Sequence, residues 1–182
     1  MSRDKNPNAG HETGAGQKFR RITAGCLAVY LVLLIRMIVF KNPWEETMLV
    51  TDGWSWEAVR THMETANFVP FHTINLYITY WEKLGRIAFV NLVYNVIAFI
   101  PFGLAVPIVR GADRVSFWFT MITGFLLSAG IELTQLITLL GECDVDDVIL
   151  NTAGVFLGWL IYAVCYVISR IVRFISGKIS GR

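Results

Sequence analysis

Residues 115–168 read VSFWFTMITGFLLSAGIELTQLITLLGECDVDDVILNTAGVFLGWLIYAVCYVI. Two apolar runs, Val115–Leu140 and Val148–Ile168, flank the seven residues Gly141–Asp147, which carry four carboxylates. About 20 apolar residues cross roughly 30 Å of hydrocarbon as a helix. The first run holds a single charge, Glu132, and the second holds none. In lipid every backbone N–H and C=O must pair internally, which selects helices over an open sheet. The stretch therefore reads as two membrane-spanning helices joined by an acidic turn.

Upstream lie two more such runs. Ile22–Phe40 contains only Arg36 as a charge, and Ile87–Val109 contains none, although Pro101 and Pro107 interrupt it. Pro101 followed by Gly103 predicts a kink. The whole chain of 182 residues is 54% hydrophobic and 16% charged, with a mean hydropathy of +0.52. A soluble domain carries roughly 25% charged residues, so the composition excludes a water-soluble fold, a disordered chain and a collagen. A net charge of +2, with the basic residues at segment ends, argues against a nucleic-acid partner. The cysteines Cys26, Cys143 and Cys165 form neither a disulfide framework nor a zinc motif. The first run is too long, and too charged at Arg36, for a cleavable signal peptide. The expected fold is an all-α polytopic membrane protein with four transmembrane helices.

Lys and Arg outside the spans set the orientation. Arg3, Lys5, Lys18, Arg20 and Arg21 precede the first span, Arg110 and Arg114 sit in the short second loop, and Arg170, Arg173, Lys178 and Arg182 follow the last. The first loop (residues 41–86) spreads Lys41, Arg60, Lys83 and Arg86 over 46 residues, and the third loop has none. Both termini are thus expected to be cytoplasmic, in a cell-membrane protein. Residues 1–17 read as a disordered cytoplasmic tail, 22–170 as the transmembrane domain and 171–182 as a basic cytoplasmic tail. The first loop contains eight aromatics, Trp44, Trp54, Trp56, Phe68, Phe71, Tyr77, Tyr80 and Trp81. Trp and Tyr favour the membrane–water boundary, so this loop reads as an extracytoplasmic lid lying on the outer leaflet. Ser55–Thr65 reads as a short helix with the Ser55 hydroxyl placed to cap it, and Phe68–Phe71 is a candidate to dip into the bilayer.

On that topology polar groups converge at one depth. Asn91 and Asn95 are four apart in the outer half of the second span, and Ser128, Glu132 and Gln135 form one stripe in the outer half of the third. Asp147 and Asn151 occupy the first turns of the fourth span, and Arg36 lies near the outer end of the first. A charge inside a membrane costs about 2.5–3.5 kcal/mol on insertion scales and is functional by default. Asn91, Asn95 and Gln135 taken singly read equally well as interhelical hydrogen-bond groups. The carboxylates Glu142, Asp144, Asp146 and Asp147 repel one another unless neutralised. Arg36 would serve, as would a divalent cation on Asp144, Asp146 and Asp147, although the spacing is not that of an EF-hand. Capping of the fourth helix by Asp146 or Asp147 accounts for one of them. Gly154 and Gly158 form a small-xxx-small pair that admits a close neighbour. His62 reads as a surface residue and His72 as an acid/base candidate. No phosphate-binding Gly loop, H-E-x-x-H or G-x-S-x-G occurs.

Asn67–Ile74, Asn91–Asn95 leading to Phe99-Ile100-Pro101-Phe102-Gly103, Ile131–Gln135 and Asp144–Gly154 together resemble the motifs of the VanZ-like family, in the family's order. The resemblance extends from about residue 25 to 170. One departure is that Gly141-Glu142 stands where the family often has a basic residue before the acidic run. The resemblance implies a link to resistance against teicoplanin, a glycopeptide carrying a fatty acyl tail. The motif residues coincide with the polar groups already placed at the outer leaflet.

Two functions follow as expectations. One is a binding or accessory membrane protein that holds a lipid, a lipid-linked cell-wall intermediate or an acylated glycopeptide in an outward-facing polar pocket formed by Arg36, Asn91, Asn95, Gln135, Asp144, Asp146 and Asn151. The other is an enzyme processing a phosphate-linked lipid head group, with Glu132 or His72 as acid/base and Asp147 in support. The inner halves of the spans lack ionisable groups, which argues against proton-coupled transport.

Overall fold

The computed structural model describes residues 14–39, 53–111 and 116–180, apart from the side chains of Val39, Ile87, Ile179 and Ser180. The expectations for residues 1–13, for the start of the first loop with Lys41 and Trp44, and for Arg114 and Arg182 lie outside the described residues. Within them are six helices: α1 (Gly14–Val39), α2 (Trp56–Thr65), α3 (His72–Thr79), α4 (Trp81–Arg110), α5 (Phe117–Thr138) and α6 (Val145–Ser180). Four are long and apolar enough to cross a membrane, over Gly14–Ile38, Ala88–Arg110, Phe117–Thr138 and Val145–Lys178. The fold is all-helical as expected.

The ends differ from the hydropathy boundaries. Helix α1 reaches back to Gly14, into the stretch read as a disordered tail. Helix α6 continues to Ser180, through the residues read as a separate basic tail. Backbone hydrogen bonding does not stop where apolar side chains do, because Lys and Arg are good helix formers. Helix α4 is unbroken through Pro101 and Pro107. Ser55 caps α2 as expected, its hydroxyl accepting the Ala58 N–H at 3.1 Å.

Helices α4 and α6 form the principal contact, with α5 against α6 and α1 against α4 and α5. Their backbones touch. A Cβ on Gly103 would lie 2.0 Å from the Val155 carbonyl oxygen, one on Gly154 2.1 Å from that of Val96, and one on Gly158 2.1 Å from that of Ile100. No side chain fits at these three positions, so the small-residue spacing read in the sequence serves the α4 contact. Gly124 of α5 gives Val155 its seat in the same way. Around this contact Leu34, Phe99, Phe102, Val106, Ile131, Leu140 and Val155 form the buried core. Large apolar side chains such as Val32, Trp118 and Phe174 point outward, as lipid-facing surface requires.

At one end of the bundle α1 and α5 finish and α4 and α6 begin; the loops of the acidic turn cover it. At the opposite end Arg20 of α1 donates from Nε to the Val109 carbonyl (3.1 Å) and from Nη2 to the Arg110 carbonyl (3.0 Å). It thereby satisfies carbonyls that the C-terminus of α4 leaves open.

Gly154→Val forces the α4 and α6 backbones apart. Such overpacking typically costs about 1–3 kcal/mol, and more against backbone, so a marked fall in melting temperature in detergent is expected. Gly130→Ala is the contrast: its Cβ meets nothing within 4 Å and should leave the melting temperature unchanged or raise it, since Ala exceeds Gly in helix propensity by about 1 kcal/mol.

Candidate functional site

Helix α5 buries one stripe, Ser128, Ile131, Glu132, Gln135 and Leu136, as a period of 3.6 demands. It ends at Leu139 in the left-handed region (φ 60°), and the turn that follows leads into α6. Asp144 is the residue before the first helical position of α6, and it is the cap: its Oδ1 accepts the Asp146 N–H at 2.8 Å and its carbonyl accepts the Asp147 N–H at 3.2 Å. This corrects the expectation that Asp146 or Asp147 caps that helix. Their carboxylates point elsewhere, because both already lie in the first helical turn.

Asp146, with no exposed surface, reaches across to the lid. Its Oδ1 accepts the Phe71 N–H at 2.5 Å and its Oδ2 the Ile74 N–H at 3.0 Å. These N–H groups open α3, so Asp146 caps α3 from about 70 residues away. Asp144 completes the grip. Its Oδ1 also accepts from Asn67 Nδ2 (2.8 Å), and its Oδ2 accepts from Thr73 Oγ1 (2.6 Å). The backbones pair as well, Asn67 N–H to the Cys143 carbonyl and Val145 N–H to the Asn67 carbonyl, both at 2.9 Å. Phe71 adopts φ 65°, a conformation rare for a bulky residue, and this brings its N–H onto Asp146. Two outer ties hold the lid to the same turn. His62 Nε2 lies 2.7 Å from the Gly141 carbonyl and Trp54 Nε1 donates to the Ile137 carbonyl at 2.7 Å.

Beneath the clasp sits Glu132, 4% exposed, whose Oε2 accepts the Asp144 N–H at 2.9 Å. Asn95 of α4 donates to Asp147 Oδ1 at 2.5 Å. One turn deeper Asn151 donates to Ser128 Oγ at 2.9 Å, and one turn nearer the lid Asn91 donates to the Tyr77 hydroxyl of α3 at 2.9 Å. Gln135 reaches the Ile38 carbonyl of α1 at 3.4 Å. The Oε1 of Gln135 and the Oδ1 of Asn151, both buried, have no hydrogen-bond partner among the described residues.

Of the residues read from sequence, Glu132, Asp144, Asp146, Asp147 and Asn95 thus form one linked cluster, with Asn151 and Gln135 flanking it on α6 and α5 and Asn91 tying α4 to α3. Arg36 is exposed in the last turn of α1, and His72 is exposed as the first residue of α3. Asn67, Thr73 and Tyr77 were not singled out. Asn67 and Thr73 do lie in the Asn67–Ile74 segment of the family resemblance, the one available signal. His62, read as a surface residue, is partly buried against the turn. No group of three or more His, Cys, Asp or Glu among the described residues has the geometry to hold a metal ion. The oxygens of Asp144 and Asp146 instead accept N–H and O–H donors. Cys143 is 8% exposed under the clasp, and burial, followed by the carboxylates of Glu132, Asp144 and Asp147, pushes its thiol pKa up from the ordinary value.

Comparison with known proteins identifies the family. A family model described as VanZ/LLP1 matches residues 27–166. Protein VanZ from Enterococcus faecium is 30% identical over 141 residues, covering 78% of this chain and 73% of that protein. No solved structure matches. The family match takes in the lid, α4, α5, the acidic turn and parts of α1 and α6, and with the curated relative it places this multi-pass membrane protein in the VanZ/LLP1 family.

Proposed function

We propose that the clasped acidic turn is the working site of a VanZ-like protein acting at the outer leaflet of the cell membrane, with both termini cytoplasmic. Its ligand is a lipid, a lipid-linked cell-wall intermediate or an acylated glycopeptide, and its effect is to lower susceptibility to teicoplanin. One observation carries the reading. The lid turns its polar groups, Asn67, Thr73 and two N–H groups, inward onto the carboxylates, and turns Phe68, Val69 and Phe71 outward. Such a segment is built to lie among acyl chains while covering a polar site.

The chemistry of exchange follows. A buried carboxylate stripped of its donors is costly, so the lid lifts only when other donors replace it. A head group rich in hydroxyl, amide or ammonium groups supplies them, and the bare amide oxygens of Gln135 and Asn151 accept more. The apolar rim of the lid favours a ligand with a fatty tail. Glu132 anchors the turn through the Asp144 N–H, which favours holding a ligand over acid/base chemistry at that carboxyl.

Three measurements test this. Cells expressing the wild type should tolerate more teicoplanin than cells expressing Asp146→Ala or Glu132→Gln at matched protein levels, with the same envelope lipids and cell-wall precursors by mass spectrometry. A lipid species made only by the wild type would establish catalysis instead, and equal tolerance in all strains would remove the site from the effect.

Cys143 reports on the lid. In a Cys26→Ala, Cys165→Ala background, maleimide should react with it slowly at neutral pH and faster as the pH rises, because its raised pKa leaves little thiolate. Asp146→Ala removes the acceptor of two charge-assisted hydrogen bonds, each worth about 1.5–3 kcal/mol, and should speed labelling at least tenfold. Unchanged labelling would mean that the clasp is not what covers Cys143.

For topology, in a background without native cysteines, impermeant maleimide should label Glu64→Cys on intact cells and Lys178→Cys only after permeabilisation. The reverse pattern would invert the orientation.

A further inference from the structure

The eight carboxylates among the described residues all lie at the clasped end of the bundle or in its lid. The opposite end holds Lys18, Arg20, Arg21, Arg110, Arg170, Arg173 and Lys178, with no acid among the described residues there. In sequence, residues 1–13 (Arg3, Lys5, Asp4, Glu12) and 112–115 (Asp113, Arg114) each carry as many acids as bases. Within this basic end α1 and α4 leave a cleft lined by Gln17, Arg20, Arg21, Ala24 and Val109.

The four α1 residues fall three, one and three apart, a single helical stripe. Ala24 is short and leaves the floor open. Arg20 forms a fixed wall, tied to the Val109 and Arg110 carbonyls. Gly111 makes that possible: it sits at φ +61°, and a Cβ there would lie 2.1 Å from the guanidinium carbon of Arg20. Gln17 and Arg21, both exposed and four residues apart, stand at the rim. Beyond the cleft α1 presents Ile22, Val29 and Val32 outward.

We infer that this cleft seats the phosphate of an anionic phospholipid in the leaflet facing the basic end. A guanidinium meets a phosphate through paired N–H donors, and basic pockets between membrane helices bind such head groups. Arg21 grips the phosphate and Gln17 donates from the rim, while Arg20, held on the α4 carbonyls, shapes the wall. The acyl chains lie along the apolar face of α1, which favours a lipid over a free anion. The assignment is independent of the clasped site.

The test is titration of the full chain in detergent micelles with phosphatidylglycerol or phosphatidylcholine, counting bound lipid by native mass spectrometry. The wild type should retain phosphatidylglycerol preferentially. Arg21→Gln should weaken that binding about tenfold, the loss of a charge-assisted pair, and Arg21→Lys should recover part of it. Arg173→Gln removes the same charge from α6, whose main contacts are with α4 and α5 and which does not line the cleft among the described residues, and should leave binding within about twofold. Equal losses in Arg21→Gln and Arg173→Gln would reduce the effect to diffuse surface charge and overturn the site. So would equal retention of the two lipids. Displacement of phosphatidylglycerol by glycerol phosphate at equal concentration would show that the cleft takes the free anion rather than the lipid.

Discussion

The close approach of α4 and α6 is the constraint on which the rest depends. Three glycines, Gly103, Gly154 and Gly158, remove every side chain that would hold the backbones apart. In lipid there is no hydrophobic drive between helices, so close packing of this kind carries the association. It also sets the reach of the polar groups above it. Asn95 and Asp147 have short side chains and meet at 2.5 Å, which helices held apart by larger residues would not allow. Asn151 then faces Ser128 on α5, and α5 delivers Glu132 under the turn.

The acidic turn poses an electrostatic problem that the fold answers with dipoles. Four carboxylates in seven residues repel one another. The protein gives Asp144 and Asp146 backbone N–H groups, an amide and a hydroxyl as donors. Hydrogen bonds to an ionised acceptor are about twice as strong as neutral ones. The opening turn of α3 adds the positive end of a helix dipole. The lid is therefore part of the solution to the charge, and its position is fixed by that charge.

How far this was legible in the sequence depends on the range of each interaction. The four spans, the cap at Ser55 and the glycine pair on α6 are local patterns with a fixed period, and each could be read from residues within a few turns. The stripe Ser128, Glu132 and Gln135 was legible for the same reason. The roles of Asn67 and Thr73 were not, since their partners stand 71–77 residues away and no periodicity links a loop to a distant turn. The cap of α6 was misplaced by two or three residues because four acids compete for that role by composition, and only the helix start at Val145 and the N–H groups it leaves open choose Asp144. Helices α1 and α6 run past the apolar spans because hydropathy marks where lipid stops, not where the helix does.

The capping of α3 by Asp146 also bears on the order of assembly. The lid is synthesised before the turn that holds it, with α4 and α5 in between. Its two leading N–H groups have no carboxylate to meet until α6 has begun. Contacts of such long sequence separation form late. Until then the lid has only its ties to α4 and α5, Asn91 to Tyr77 and Trp54 to the Ile137 carbonyl, and arrival of the last of the four spans supplies the carboxylates that close the molecule.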